Sequence, residues 1–330
     1  MSGKIRRQEN LQESIYSNKT CYSSKRKKVT FSKEGEKLQY IVAVDIGGTK
    51  ISSGVINSEG TWLSNVKNES DTSDATAMYH SLLKCIYEAI EQAKLTKEQI
   101  SLLGVAIPGQ LNTETGFAIY QNNLPWTNFP LGKLLAEEFP LCQLAFEHDV
   151  ISAAIGEWSV RNMTEELFVY ITVSTGICAS IIHRGKPLKG LGLAGEIGFF
   201  PINKEYVLET YASGSAMERE IAELCEDLSL ADAFARWEQG DEELDRFFDE
   251  RTYQLAIAIF NLTATLDPSV IVVGGGVINN QEKFFERIKE HYGKLCEHPL
   301  QQNWLERIEP SSLKATSGLY GVAMKAMGTV

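Results

Sequence analysis

One segment constrains this chain more than any other: residues 42–50, VAVDIGGTK, where an apolar run ends in a carboxylate, turns through two glycines and continues as a second strand. Residues 41–44 form the first apolar run and Gly47 and Gly48 the turn. Residues 51–56 return as a strand-like segment, and residues 57–60 turn again. A dinucleotide-binding unit would send its glycine loop directly into a helix, so that fold is disfavoured. The theme recurs at residues 167–173, Ser174-Thr175-Gly176 and residues 178–182. Two hairpins of one design predict two related lobes.

Between the hairpins, Met78, Leu82, Ile86, Ala89, Ile90 and Ala93 recur at helical spacing, and a short apolar strand follows at residues 102–107. This alternation predicts an α/β protein. Residues 253–266 are almost wholly apolar and stop at Asp267-Pro268, as a buried helix ended by proline would. Residues 270–273 then read as a buried strand running into Gly274, Gly275 and Gly276.

Composition narrows the function classes. A formal net charge of -11 over 330 residues disfavours nucleic acid as a partner, and no apolar run approaches the roughly 20 residues of a membrane span. Six scattered cysteines match neither a disulfide framework nor a metal-ligand spacing, and polar residues follow the N-terminus in place of an apolar secretory core. A cytoplasmic protein with free thiols is expected. Residues 1–38 differ from the rest, with ten Lys or Arg against four Asp or Glu, and are read as a basic, disordered tail. His80, His183, His291 and His298 lack mutual spacing and are read as solvated or capping residues.

The chemistry concentrates at the turns. Gly47 and Gly48 let backbone N–H groups approach phosphate oxygens, Thr49 and Lys50 add donors, and Asp45 can orient Mg2+ through water; an ordinary glycine hairpin remains the alternative. Thr175 and Gly176 could supply matching donors, against a plain ST-turn. Gly274, Gly275 and Gly276 open the backbone after a buried strand, or simply turn the chain. Asp149 follows the apolar run 144–146 and precedes a helical stretch, so it is a candidate general base or a helix cap.

Taken in order, VAVDIGGTK at Val42, AIPGQLN at Ala106, NNLPW at Asn122, EHDVISAA at Glu147, VSTGI at Val173, AGEIG at Ala194, LETYASG at Leu208 and IVVGGGV at Ile271 resemble the ROK family of sugar kinases and sugar-responsive repressors, from about Tyr40 onward. The resemblance implies an actin-like (ribonuclease H-like) ATPase fold with two lobes around a cleft, ATP under the glycine turns and a sugar between the lobes. The expected division is residues 39–152 for the N-terminal lobe, completed by a C-terminal helix at about 316–330, and residues 153–315 for the other. Asp149 matches the family's catalytic base. Asn123, Glu196 and Glu209 fall on positions that hydrogen-bond sugar hydroxyls, with Gly109 in the loop bordering that pocket. Without the family, Glu196 and Glu209 read as surface charges. A homodimer is common in the family, though no residue stripe here demands one.

Two departures stand out. Many relatives hold a structural zinc through a His and three closely spaced cysteines; here Phe199 takes the His position and no cysteine lies between Cys178 and Cys225, so no zinc is expected. His148 stands where the family has Asn, beside the base, which bears on sugar recognition or weakens catalysis. Cys178 and Ser180 replace glycines and suggest a tighter fit around phosphate. The expected function is ATP-dependent phosphorylation of a hexose or N-acetylhexosamine; the alternatives are a sugar-sensing regulator, for which IRRQENLQ at Ile5 is the motif, and a catalytically weak sugar-binding protein.

Overall fold

The computed structural model describes residues 39–164, 166–225 and 228–328. The expected basic tail lies outside them. Strands β1 (Tyr40–Ile46), β2 (Lys50–Asn57), β3 (Val66–Glu69), β4 (Ile100–Ile107) and, after a small three-stranded sheet, β8 (Gln143–His148) form one sheet in the order β3-β2-β1-β4-β8. The small sheet holds β5 (Gln110–Asn112), β6 (Phe117–Tyr120) and β7 (Thr127–Phe129). A second five-stranded sheet runs β11-β10-β9-β12-β13, built from β9 (Leu167–Val173), β10 (Ile177–His183), β11 (Lys186–Pro187), β12 (Val270–Gly274) and β13 (Ile308–Pro310).

The two large sheets share one topology. In each, the first strand pairs antiparallel with the second and the second with the third, while the first pairs parallel with the fourth and the fourth with the fifth. The repeated hairpin in the sequence is therefore the visible part of a repeated sheet. Parallel central strands are covered on both faces, which explains the unbroken apolar runs: Ile41, Val42, Ala43, Val44 and Ile46 are all buried.

Helix α1 (Ala75–Gln92) covers one face of the first sheet with Met78, Leu82, Ile86 and Ala89, and Asp74 caps it by accepting from the Thr76 and Ala77 N–H groups. After the short α2 (Leu131–Glu138), α3 (Asp149–Val160) and the last helix, α9 (Ser317–Ala326), cover the opposite face. These two helices cross so tightly that a Cβ on Gly156 would lie 2.4 Å from the Ser317 carbonyl oxygen. One on Gly321 would lie 1.6 Å from that of Ser152. The core around them joins residues from both sheets, Ile41 and Ala106 from one, Phe168 and Val272 from the other. Helix α3 runs unbroken through position 152, where the sequence suggested a lobe boundary.

The second sheet is covered by α4 (Leu208–Ala212), α5 (Gly214–Leu224), α6 (Leu230–Glu238), α7 (Glu242–Leu266) and α8 (Glu282–Leu295). Helix α7 begins eleven residues before the expected apolar stretch, because Asp241 caps it and Leu244, Phe247 and Phe248 already follow helical spacing. It ends at Asp267 with φ +46, ahead of Pro268, as the sequence suggests. His291 corrects an expectation: it is buried, its Nε2 3.0 Å from Asp249 Oδ1, rather than solvated. His183 is exposed at the end of β10, and His298 caps a 3-10 turn by accepting from Leu300 N–H. Among the described residues, no helix is long and apolar enough to cross a membrane.

Candidate active site

Two carboxylates stand at strand ends of the first sheet, close enough to feel each other's charge, and are taken as the floor of the site. Asp45 is the penultimate residue of β1, and Asp149 opens α3 directly after β8. The Asp45 carboxyl is pushed up to about 7, first by burial and then by the charge on Asp149, against a smaller opposing pull from Lys67. Lys67 reaches this row through strand register, Asp45 opposite Ser52 and Ser52 opposite Lys67, and no sequence motif marks it. Gly318, at the start of α9, lies so close that a Cβ there would meet Asp45 Oδ2 at 2.5 Å.

Asp149 is not the helix cap. His148 occupies that position without a side-chain capping bond, and Asp149 is the first helical residue. Its Oδ1 accepts from the Val150 N–H at 2.8 Å and lies 3.1 Å from His148 Nδ1. Both contacts fall on one oxygen, which leaves Oδ2 to face another group. This arrangement suits a base better than a cap.

Cys178 marks where the other carboxylates converge. Its thiol is held well above its ordinary value, by burial first and then by Glu196, Asp149 and Glu209, so all three acids lie around it. Its Sγ is 3.8 Å from Glu196 Oε1. Cys178 thus lies beside the carboxylate cluster. Glu209 is braced against the second hairpin, where its Oε2 accepts from the Ile177 N–H at 2.8 Å. A Cβ on Gly176 would meet that oxygen at 2.6 Å. Far from being surface charges, Glu196 and Glu209 are both partly buried.

The loops of the first sheet pack on one another. A Cβ on Gly48 would strike the Asn123 carbonyl oxygen at 2.7 Å, so the glycine turn packs on the chain carrying Asn123. Gly109 adopts φ +75, a left-handed conformation that favours glycine, and its Cβ position faces Tyr120 and Gln121. Thr49 and Lys50 are exposed. Phe199 is also exposed, at 63%, on the short helical turn after Glu196. Among the described residues, no group of three His, Cys, Asp or Glu side chains is arranged to hold a metal ion.

A cavity of about 520 Å³ opens beside the second hairpin, bordered by Ser174, Thr175, Gly214, Ser215, Glu218, Phe234, Gly276 and Asn280, among others. Thr175 and Gly276 thus share one site. Gly176 turns instead towards Glu209, and Gly274 and Gly275 serve packing: their Cβ positions meet Tyr170, Ser311 and the Val173 carbonyl. Gly47, Gly48, Thr49 and Lys50 do not border this cavity. The helix α5 wall was missed in the sequence, although Ser213-Gly214 closes the LETYASG segment; Ser213 caps α5 by accepting from Ala216 N–H.

Two buried acids hold this floor together. Glu147 accepts from Lys325 Nζ at 2.6 Å, from Lys189 Nζ at 3.0 Å and from the His148 N–H at 3.0 Å. Burial alone would raise its carboxyl, but these partners outweigh it and hold the group below the usual range. Glu157, fully buried on α3, accepts from the hydroxyls of Ser311, Ser312 and Ser317, from the Ser312 and Leu313 N–H groups and from Arg161. This ties α3 to the entry of α9, next to Asp45. Glu157→Gln sets an amide against a ring of donors and leaves Arg161 underpaired, so denaturant unfolding should show a loss of about 3–5 kcal/mol.

The chain is similar to known proteins over nearly its whole described length. The chain is 28% identical over 305 residues to the N-acetyl-D-glucosamine kinase of Mannheimia succiniciproducens, covering 84% of this chain and 96% of that one. It is 27% identical over 282 residues to the glucokinase of Halalkalibacterium halodurans, covering 77% and 85%. The crystal structure of the ROK hexokinase from Thermus thermophilus superposes with a TM-score of 0.72 at 27% identity, covering 88% of this chain and 99% of that one. The fold is the actin-like ATPase fold of these proteins. With the ROK family profile matching residues 41–328, the chain belongs to the ROK family.

Proposed function

We propose that this chain is an ATP-dependent sugar kinase that transfers the γ-phosphoryl group to the 6-hydroxyl of a hexose or N-acetylhexosamine, with Asp149 as general base. The carrying observation is the placement of Asp149 at a strand-to-helix junction, with Oδ1 held by the Val150 N–H and its charge felt by both Asp45 and Cys178, the latter beside Glu196 and Glu209. Glu196, Glu209 and Asn123 would orient the sugar, since a carboxylate accepts from two hydroxyls at once. His148 would contact the sugar beside the base, and Gly109 would shape the pocket edge. The attacking hydroxyl's proton would pass to Asp149 Oδ2 as the phosphoryl group arrives.

The cavity at Thr175 and Gly276 suits the nucleoside end of ATP, with Phe234 as an apolar wall and polar groups around it. Gly47, Gly48, Thr49 and Lys50 would approach the phosphates from the first sheet. Asp45 fits a Mg2+ role through water: its carboxyl is held up first by burial and then by the charge on Asp149, and a cation nearby would relieve that second contribution. When bound, Mg2+ supplies charge neutralisation at the phosphate oxygens. With Phe199 at the His position, we read the chain as working without zinc. The lobes are read as residues 39–152 with α9, and residues 153–315, with α3 continuing across that boundary.

A coupled ADP-release assay with Mg-ATP across glucose, fructose, allose, N-acetylglucosamine and N-acetylmannosamine tests this. Turnover on the order of 1–100 s⁻¹ on at least one sugar is expected. Silence on all five, with sugar binding still seen by calorimetry, would replace the kinase with a sugar-binding protein.

A further inference from the structure

We propose that Lys189 is a positioning residue that ties the loop carrying Glu196 to the strand leading into Asp149, through buried Glu147. The inference rests on the kinase reading for what the tether serves, and on geometry alone for its existence. Lys189 follows β11 on the second sheet, and its Nζ lies 3.0 and 3.1 Å from the two Glu147 oxygens at the end of β8 on the first. The same Glu147 accepts from the His148 N–H, one residue before Asp149. One carboxylate thereby links the two sides of the site.

The loop has little else to hold it. Gly190, Gly192 and Gly195 all adopt positive φ, and Leu191 and Leu193 are exposed, so the loop buries little apolar surface of its own. Its far end is fixed where Ala179 N–H donates to the Gly195 carbonyl at 2.7 Å. Its near end is fixed where Leu188 N–H donates to the Ile181 carbonyl and Lys189 meets Glu147. Glu196 follows directly on this span.

The second lysine makes the tether separable from the fold. Lys325, on α9, lies 2.6 Å from Glu147 Oε2 and is a second partner that does not depend on the loop. Loss of the Lys189 charge therefore leaves Glu147 still compensated, and Lys189→Met, which keeps the apolar stem, should fold normally.

The test compares wild type, Lys189→Met and Lys189→Arg by hydrogen–deuterium exchange of the ligand-free proteins and by sugar kinetics. Lys189→Met should speed exchange at residues 190–196 by about tenfold, with the melting temperature held, and Lys189→Arg should restore protection. The same variant should raise the sugar KM about tenfold while kcat and the ATP KM change little. Unchanged exchange in Lys189→Met would overturn the tether, and faster exchange with an unchanged sugar KM would overturn its positioning role. Silence of the wild type on every sugar would instead count against the kinase, and exchange alone would then judge the tether.

Discussion

Replacing Asp149 by Asn is expected to lower kcat by about 10³-fold, roughly 4 kcal/mol of barrier, while sugar affinity by calorimetry stays within a few-fold. The substitution keeps the shape and leaves Oδ1 to accept from the Val150 N–H as before. It removes the one property that a base needs, a charged oxygen able to take a proton. The split between kcat and binding matters, because a structural role would damage both together. An Asp149→Asn enzyme retaining a tenth or more of wild-type turnover would move the base elsewhere. Asp45 is then the next group to examine, since its carboxyl feels the charge on Asp149.

Much of this site is legible in the sequence because it lies on turns. Gly47, Gly48 and Gly176 occur where strands reverse, and glycine at a reversal can be read without coordinates. Asp149 is visible because a strand-to-helix junction exposes its first helical side chain. What the sequence hides is the support, which depends on residues meeting across long separations. Glu147 meets Lys189 and Lys325, 42 and 178 positions away, and Glu157 meets Ser311 through Ser317. Lys67 reaches Asp45 only through the register of three strands. The closeness of Cys178 to Glu196 is likewise hidden, because the two meet across 18 positions. The α9 helix was expected from the fold, whereas its contact with Asp45 through Gly318 depends on packing.

Asp45→Asn is expected to make the ligand-free protein more stable at pH 8 and to cost it most of its activity. The folded state holds the Asp45 carboxyl at about 7, against 3.8 for the ordinary group, with burial as the main cause and Asp149 as the second. Between those values the folded chain keeps a proton that the unfolded chain has released. Stability from this group is therefore greatest below pH 3.8, falls as pH rises through the window, and reaches its full deficit above pH 7. The ceiling on that deficit is roughly 4 kcal/mol, and partial exposure of the carboxyl brings the expected gain for Asn to about 1–3 kcal/mol at pH 8. At pH 5 the gain should be smaller, so chemical denaturation at the two pH values gives the sign directly. A Mg-nucleotide complex favours the charged carboxylate and should narrow the difference, because ligand that binds only the folded state adds its own stability to the wild type. An Asp45→Asn protein no more stable than wild type at pH 8 would mean that the carboxyl is already ionised at little cost. The repulsion between Asp45 and Asp149 would then no longer support the proposed Mg2+ role of Asp45.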